Sequence, residues 1–254
     1  MSQVNSIHFV GAGPGDPELI TVKGRRLLTE ADLVVFAGSL VPRALVEGLT
    51  AEVHDSAPLH LDEIITLMAD GWREGKRVVR LHTGDPAIYG AIREQMEALD
   101  RLAIPYEVVP GVSSATATAA ALKAELTLPE VSQTVIITRR AGRTPVPVGQ
   151  ELPGLARHQA TMLILLSVGM IEAVVADLLE GGYRSATPVA VVEKVSWPEE
   201  RIITGTLGDI AAKVTAAGIT KTAIIAVGEA FGRAELHAVS KLYDKDFDHG
   251  CRQG

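Results

Sequence analysis

Ile7-His8-Phe9-Val10-Gly11-Ala12-Gly13-Pro14-Gly15-Asp16-Pro17 stands near the start of the chain. A short β-branched and aromatic run ends in glycines, and a helical pattern follows over residues 21–30, with Val22, Leu27 and Leu28 near one face. A strand feeding a glycine turn and then a helix reads as the start of a βαβ unit. The same alternation continues. Strands are predicted at 7–10, 33–36, 77–81, 106–109, 134–138, 162–166, 189–193, 201–204 and 223–227. Helical spacing is read at 61–72, 88–102, 114–123, 171–179 and 207–217. In the first of these, Leu61, Ile64, Ile65, Met68 and Trp72 recur every three or four residues. The expectation is an α/β fold with right-handed crossovers.

Composition agrees with that class. Hydrophobic residues make up 47% of the 254, but aromatics only 4%, so the core must rest on Val, Ile, Leu and Ala, as in a buried parallel sheet under helices. The polar, proline-containing stretch 124–133 follows an Ala-rich helical segment, which places a boundary between domains 1–123 and 124–254. A second irregular stretch, 141–153, holds three of the thirteen prolines; loops that long are usually functional or mobile.

Charge and cysteine usage narrow the partners. The formal net charge of −7 is the wrong sign for a protein that lives on nucleic acid, although a small anionic ligand needs only a local basic patch. The single Cys251, near the C-terminus, excludes a disulfide framework within the chain and reads as a solvated thiol; Cys/His metal clusters are likewise not expected. The first apolar run is too short for a signal peptide, and the greasiest stretch, 162–171, stops at Glu172, short of the ~18 residues of a membrane span. A cytoplasmic protein with no membrane partner is expected.

The glycine loop suggests a dinucleotide fingerprint, with Gly11 and Gly13 correctly placed after a strand. Against this, Asp16 stands where the third glycine belongs, and no acid ends the second strand to meet a ribose. Pro14 also lacks a backbone donor, and Asp16 would repel a pyrophosphate. Alone, the loop is equally a tight βα turn.

Two further motifs change the weight. Arg80-Leu81-His82-Thr83-Gly84-Asp85-Pro86-Ala87-Ile88-Tyr89-Gly90 and Val109-Pro110-Gly111-Val112-Ser113-Ser114-Ala115 each follow a predicted strand and open a predicted helix. With the glycine loop, in this order and spacing, they closely resemble the tetrapyrrole (corrin and porphyrin) methylase family. The resemblance covers nearly the whole chain. Residues 37–42 (AGSLVP), 55–57 (DSA), 142–147 (GRTPVP), 196–200 (SWPEE) and the tail around Leu242-Tyr243-Asp244 resemble one branch in particular, which methylates a partly methylated corrin precursor. The uroporphyrinogen III branch resembles these later segments less.

The resemblance implies two α/β domains with S-adenosylmethionine in the cleft between them, usually as a homodimer. It implies a cofactor site at Thr83, Gly84 and Asp85, with Ile88 and Tyr89 at the start of the next helix. Ser113 and Ser114, then Leu166 and Ser167 of the second domain, match further cofactor positions, and Ala190, Thr222 and Ala223 match on weaker grounds. Pro14 matches another, although its loop could instead serve the tetrapyrrole. Each has a plainer reading: Asp85, Ser113 and Ser114 as helix caps, and Ala190, Thr222 and Ala223 as core or strand-edge residues.

The implied substrate is a reduced tetrapyrrole, read as metal-free rather than cobalt-loaded, whose acetate and propionate arms suit arginine forks. Arg139, Arg140 and Arg143 cluster where the irregular stretch begins, and Arg43 and Lys23 are further candidates; a solvated charged face is the alternative. His82 reads as a satisfied, semi-buried histidine. Methyl transfer from a sulfonium to carbon is a direct displacement that requires alignment rather than a Ser or Cys nucleophile. Tyr89 and Asp16 are the candidate acid/base or orienting groups. Competing readings are diphthine synthase, a ribosomal RNA ribose methyltransferase, an NAD(P)-dependent oxidoreductase built on the glycine loop, and a non-catalytic tetrapyrrole-binding protein.

Overall fold

A computed structural model describes residues 6–232 and Ser240; Cys251 and the tail segment around Tyr243 lie outside the described residues. The chain divides into two compact units, one of residues 1–117 with Val195–Glu199, the other of residues 118–194 and 200–254.

The first unit is built on a five-stranded, all-parallel sheet of β1 (Ile7–Gly11), β2 (Leu33–Phe36), β3 (Glu52–Asp55), β4 (Val78–His82) and β5 (Tyr106–Val109), in the order β3-β2-β4-β1-β5. Alternation along the strands sends Ile7, Phe9, Leu33, Val35 and Val78 to one face. There they meet Ile64, Ile65 and Met68 of α2 (Leu61–Arg73) and Leu99 of α3 (Arg93–Arg101). Val10, Val34, Phe36, Val79 and Leu81 turn to the other face, against Leu28 of α1 (Val22–Glu30) and Leu45. The fully buried Leu28, Met68 and Leu99 each contribute about 1.5–3 kcal/mol of apolar burial. Local signals set the helix starts: the Thr21 hydroxyl accepts from Gly24 N at 3.1 Å, and the Glu63 carboxylate accepts from His60 N at 2.7 Å.

The second unit departs from the expected parallel sheet. Its strands β6 (Val135–Thr138), β7 (Thr161–Ile164), β8 (Pro188–Glu193), β9 (Arg201–Thr206) and β10 (Ala223–Val227) run in the order β6-β7-β10-β8-β9, and only β6 and β7 pair parallel. The reason is connection length. Too few residues separate β8 from β9 for a crossover helix, so the two pair as an antiparallel hairpin. Helices α5 (Leu152–Ala156), α6 (Ile171–Glu180) and α7 (Ile210–Ala216) cover one face through Leu152, Val174, Leu178, Ile210 and Val214. Helix α4 (Ser114–Ala121) follows β5.

Three elements differ from the sequence reading, the first being the short helix α5, at the end of a stretch read as irregular. β3 was not expected, because Glu52-Val53-His54-Asp55 is a mostly exposed edge strand without an apolar run. The helix expected from residue 88 starts only at Arg93. Tyr89 and Ala91 take φ of 53° and 48°, and a Cβ on Gly90 would lie 2.2 Å from Pro86 O, so residues 86–92 form a tight irregular turn.

That turn is tied to a buried charge. Arg80, 5% exposed at the centre of the sheet, donates from Nε to Gln95 Oε1 (3.1 Å) and from Nη1 to Val35 O (3.2 Å). Gln95 Nε2 in turn donates to Ala91 O at 3.2 Å. Burial pushes the guanidinium down to about 10, so it is charged at neutral pH while facing neutral acceptors. Gln95→Leu strips one acceptor from a buried cation and is expected to cost about 1–3 kcal/mol in urea unfolding, whereas Gln95→Glu retains stability. A Gln95→Leu protein as stable as the parent would show that the relay contributes nothing.

Candidate functional site

The carboxyl end of the parallel sheet is where the motifs gather, as the crevice rule for open α/β sheets leads one to expect. β1 lies between β4 and β5, so the loops that follow these three strands are neighbours. Gly13 and Gly84 exchange two backbone hydrogen bonds, N–H to O at 3.3 Å and 2.8 Å. Asp85 spans to the third loop, its Oδ2 accepting from Gly111 N at 3.0 Å and its Oδ1 from Ala87 N at 2.8 Å. The backbones are in contact: a Cβ on Gly111 would stand 2.2 Å from Gly84 O, and one on Gly11 would stand 2.5 Å from Gly111 Cα. Asp85 is therefore a brace between loops and not the cap of α3.

Ser113 and Ser114 stand where α4 begins, and the Ser113 hydroxyl accepts from Ala115 N at 3.2 Å. Thr83, in the loop after β4, is half-buried, and Ile88 and Tyr89 sit in the irregular turn rather than on a helix. Further along the same edge, the Asp55 carboxylate accepts from Gly38 N (2.9 Å) and Ala57 N (2.8 Å), joining the AGSLVP and DSA segments. Arg43 lies exposed in the turn Arg43–Leu45 after β2. Lys23 instead pairs with Glu107 at 3.3 Å. The Asp16 carboxylate accepts from Glu18 N at 2.9 Å and caps the short turn Pro17–Leu19.

Within the second unit, Leu166 and Ser167 follow β7, and Thr222 precedes β10, at the same end of that sheet. The Ser167 hydroxyl is buried, accepts from Arg140 N at 2.8 Å and donates to Leu165 O at 2.7 Å. Leu166 is 70% exposed with φ 56°, and Thr222 takes φ 52° and accepts from Lys194 N at 2.8 Å. Ala190 and Ala223 are buried in β8 and β10. The arginine cluster divides: Arg140 is paired with Asp177 (2.6 Å), Arg139 donates to Thr144 O and Pro145 O, and Arg143 is exposed.

The glycine loop has few donors left for a pyrophosphate. Gly13 N is bonded to Gly84 O, Pro14 has no N–H, and Asp16 N donates to Ser196 Oγ at 3.0 Å. The last partner, together with Trp197 Nε1 donating to Pro14 O at 2.9 Å, had no role assigned from the sequence. The SWPEE segment was visible as a motif, but which loop it touches was not. Among the described residues, no helix is long and apolar enough to cross a membrane, and no group of three or more His, Cys, Asp or Glu side chains is placed to hold a metal ion.

Known proteins share this arrangement. Residues 6–211 match the model of the Tetrapyrrole (Corrin/Porphyrin) Methylases, and the chain belongs to that family. More particularly, it is 55% identical to the cobalt-precorrin-4 C(11)-methyltransferase of Methanocaldococcus jannaschii over 100% of this chain and 98% of that one. It is 50% identical to the precorrin-4 C(11)-methyltransferase of Pseudomonas aeruginosa over 98% and 99%. Among solved structures, a cobalt precorrin-4 methyltransferase described as a cobalamin biosynthetic enzyme superposes with TM-score 0.87 at 48% identity, covering 89% of this chain and 95% of its own. The uroporphyrin-III C-methyl transferase of Thermus thermophilus, complexed with S-adenyl homocysteine, gives 0.76 at 31%, covering 92% and 96%.

His82, at the end of β4, is a correction to the sequence reading. It is buried at 6% exposure beside the Phe9 ring, and its Nε2 has no hydrogen-bond partner among the described residues. Burial, aided by the Arg80 charge, lowers its pKa to about 3. The unfolded chain then takes up a proton near pH 6.5 that the native state refuses until about pH 3. The His82 contribution is therefore lost as pH falls through that window, by up to about 1.4 kcal/mol per pH unit. In urea melts between pH 7.5 and 4.5, His82→Leu is expected to lose less stability than the parent; parallel pH profiles would contradict a buried neutral imidazole.

Proposed function

We propose that this chain transfers the methyl group of S-adenosylmethionine to C11 of precorrin-4 in cobalamin biosynthesis, as a cytoplasmic homodimer. The observation that carries the reading is identity of 50–55% over essentially full length with two proteins named for methylation at C11. The 55% relative is named for the cobalt complex, which favours cobalt-precorrin-4 as the second reading of the substrate.

The residues fit the cofactor. S-adenosylmethionine carries no phosphate; it presents ribose hydroxyls, an ammonium and an adenine. The loops after β4 and β5 offer the Thr83, Ser113 and Ser114 hydroxyls, the Asp85 carboxylate and a glycine backbone at Gly84, φ 59°, where a Cβ would meet nothing closer than 3.7 Å. Gly84 is thus glycine for its backbone angle, which leaves room for a ligand to approach. Ile88, Tyr89, Leu166, Ser167, Ala190, Thr222 and Ala223 complete the proposed cofactor set, and Pro14 goes with the tetrapyrrole, the alternative its loop offered. When bound, the cofactor supplies a methyl group on a sulfonium, open to displacement by a carbon nucleophile.

The protein's share is alignment. Asp85 pins the β4 loop to the β5 loop and fixes the surface on which the cofactor lies. The electron-rich pyrrolic carbon is itself the nucleophile, so orientation and exclusion of water carry the acceleration. Tyr89 and Asp16 are orienting candidates, and Asp16 already caps a turn. Arg43 and Arg143 are exposed and in no ion pair among the described residues, and they are the first choices for the substrate's carboxylates, ahead of Lys23, Arg139 and Arg140.

The test is a transfer assay with methyl-labelled S-adenosylmethionine, offering metal-free and cobalt-loaded precorrin-4 in parallel. Label at C11 by carbon NMR is expected, and the preferred substrate identifies the route. No transfer to either, by protein that still binds S-adenosylhomocysteine, would overturn the reading. Asp85→Ala removes one charge-assisted bond between the loops, to Gly111 N, and one within the β4 loop, to Ala87 N, and should weaken S-adenosylhomocysteine at least about tenfold by calorimetry. Parental affinity in that variant would remove Asp85 from the site.

A further inference from the structure

The connection between β8 and β9 is longer than a hairpin needs. Two residues would join such strands, yet the chain makes a seven-residue excursion from Lys194 to Glu200, and its middle, Val195–Glu199, belongs to the first unit. Lys194 and Ser196 take φ of 48° and 64°, a conformation that residues with a side chain adopt at a cost. What this strained excursion delivers is two contacts on the glycine loop. Ser196 Oγ accepts from Asp16 N at 3.0 Å, and Trp197 Nε1 donates to Pro14 O at 2.9 Å. The indole also lies over Gly15, where a Cβ would be 2.1 Å from Trp197 Cδ1.

We propose that Ser196 and Trp197 are positioning residues that clasp the glycine loop 13–16 and fix the shape against which the tetrapyrrole is held for methyl transfer. This rests on the function proposed above. The loop has little left with which to recognise a polar cofactor. Gly13 N and O are bonded to Gly84, Pro14 O to Trp197, Asp16 N to Ser196 and Asp16 O to Leu19 N. It acts by shape, and shape is what a large macrocycle needs if one carbon among many is to meet the methyl group. The clasp acts through the loop and does not touch the reacting atoms.

The variants are Ser196→Ala, Ser196→Asn as the conservative rescue, whose amide oxygen can accept and whose backbone tolerates the left-handed angle, and Trp197→Phe, which keeps a ring over Gly15 but loses the N–H donor. Hydrogen exchange at the Asp16 amide reads the clasp directly and is expected to be faster in Ser196→Ala and restored in Ser196→Asn. In steady-state transfer, Ser196→Ala and Trp197→Phe should raise KM for the tetrapyrrole about three- to tenfold, the range of one neutral hydrogen bond. Their affinity for S-adenosylhomocysteine should stay within about twofold of the parent. Parental exchange at Asp16 in Ser196→Ala would overturn the clasp. S-adenosylhomocysteine affinity falling in step with KM would overturn its assignment to the macrocycle, as would an unchanged KM beside altered exchange. A parent protein that methylates neither form of precorrin-4 would sink the proposed function and the substrate half of this inference, while exchange at Asp16 still decides the clasp.

Discussion

The contact on which the first unit's functional edge depends is the touching of three backbones at Gly11, Gly84 and Gly111. Three adjacent parallel strands end beside one another, and their loops would ordinarily splay apart to make room for side chains. With no Cβ on Gly11 or Gly111, the loops close to hydrogen-bonding distance, and the Gly13–Gly84 pair and the Asp85–Gly111 bond follow. Everything placed on that edge inherits its position from this approach: the Asp85 carboxylate, the serines at the start of α4, and the glycine loop that Trp197 covers. The sheet supplies the frame, since β1 is held on both sides by β4 and β5 in register.

Much of this was legible in the order of residues. Apolar runs closed by glycine or proline marked nine of the ten strands, because buried strands need continuous apolar character and chain reversals need turn residues. What failed did so for physical reasons. β3 is held by pairing with β2 at an edge, so Glu52 and His54 carry no burial signal. The mixed second sheet has the same Val- and Ile-rich strands as the parallel first, and only connection lengths distinguish them. The helix drawn from residue 88 had the apolar spacing for one, but Tyr89 and Ala91 were already bent out of the helical region. Motif order singled out Thr83, Asp85, Ser113 and Ser114, and the structure places all four on the neighbouring loops after β4 and β5. The Asp85 brace and the Trp197 contact join segments far apart in sequence, and no local pattern encodes them.

Backbone strain adds a layer that the sequence does not show. Tyr89, Leu166 and Thr222 were carried over as cofactor positions from resemblance alone, and all three lie at positive φ. A β-branched residue such as Thr222 is rarely found there. Ala103 and Lys123 share the angle, but each lies just beyond a helix end, where a left-handed residue closes the last turn. Leu166 and Thr222 flank strands, and Leu166 is largely exposed, so helix termination does not account for them. Backbone strain of this kind concentrates at ligand sites and switch regions, and Lys194 and Ser196 on the excursion between β8 and β9 share it.

The glycine loop shows how one local pattern serves a different chemistry. In a dinucleotide fold, glycines after the first strand free backbone N–H groups to point at phosphate from a helix N-terminus. Here the same residue types turn those groups inward: Gly13 to Gly84, Asp16 to Ser196, with Pro14 in place of a donor. The loop ends in the short capped turn Pro17–Leu19 and not directly on α1, which begins at Val22 behind its own cap, Thr21. A loop with so few free donors has exchanged anion binding for rigidity. Rigidity is the more useful property where the substrate is large, the cofactor uncharged at its nucleoside end, and the reaction a displacement whose rate depends on alignment.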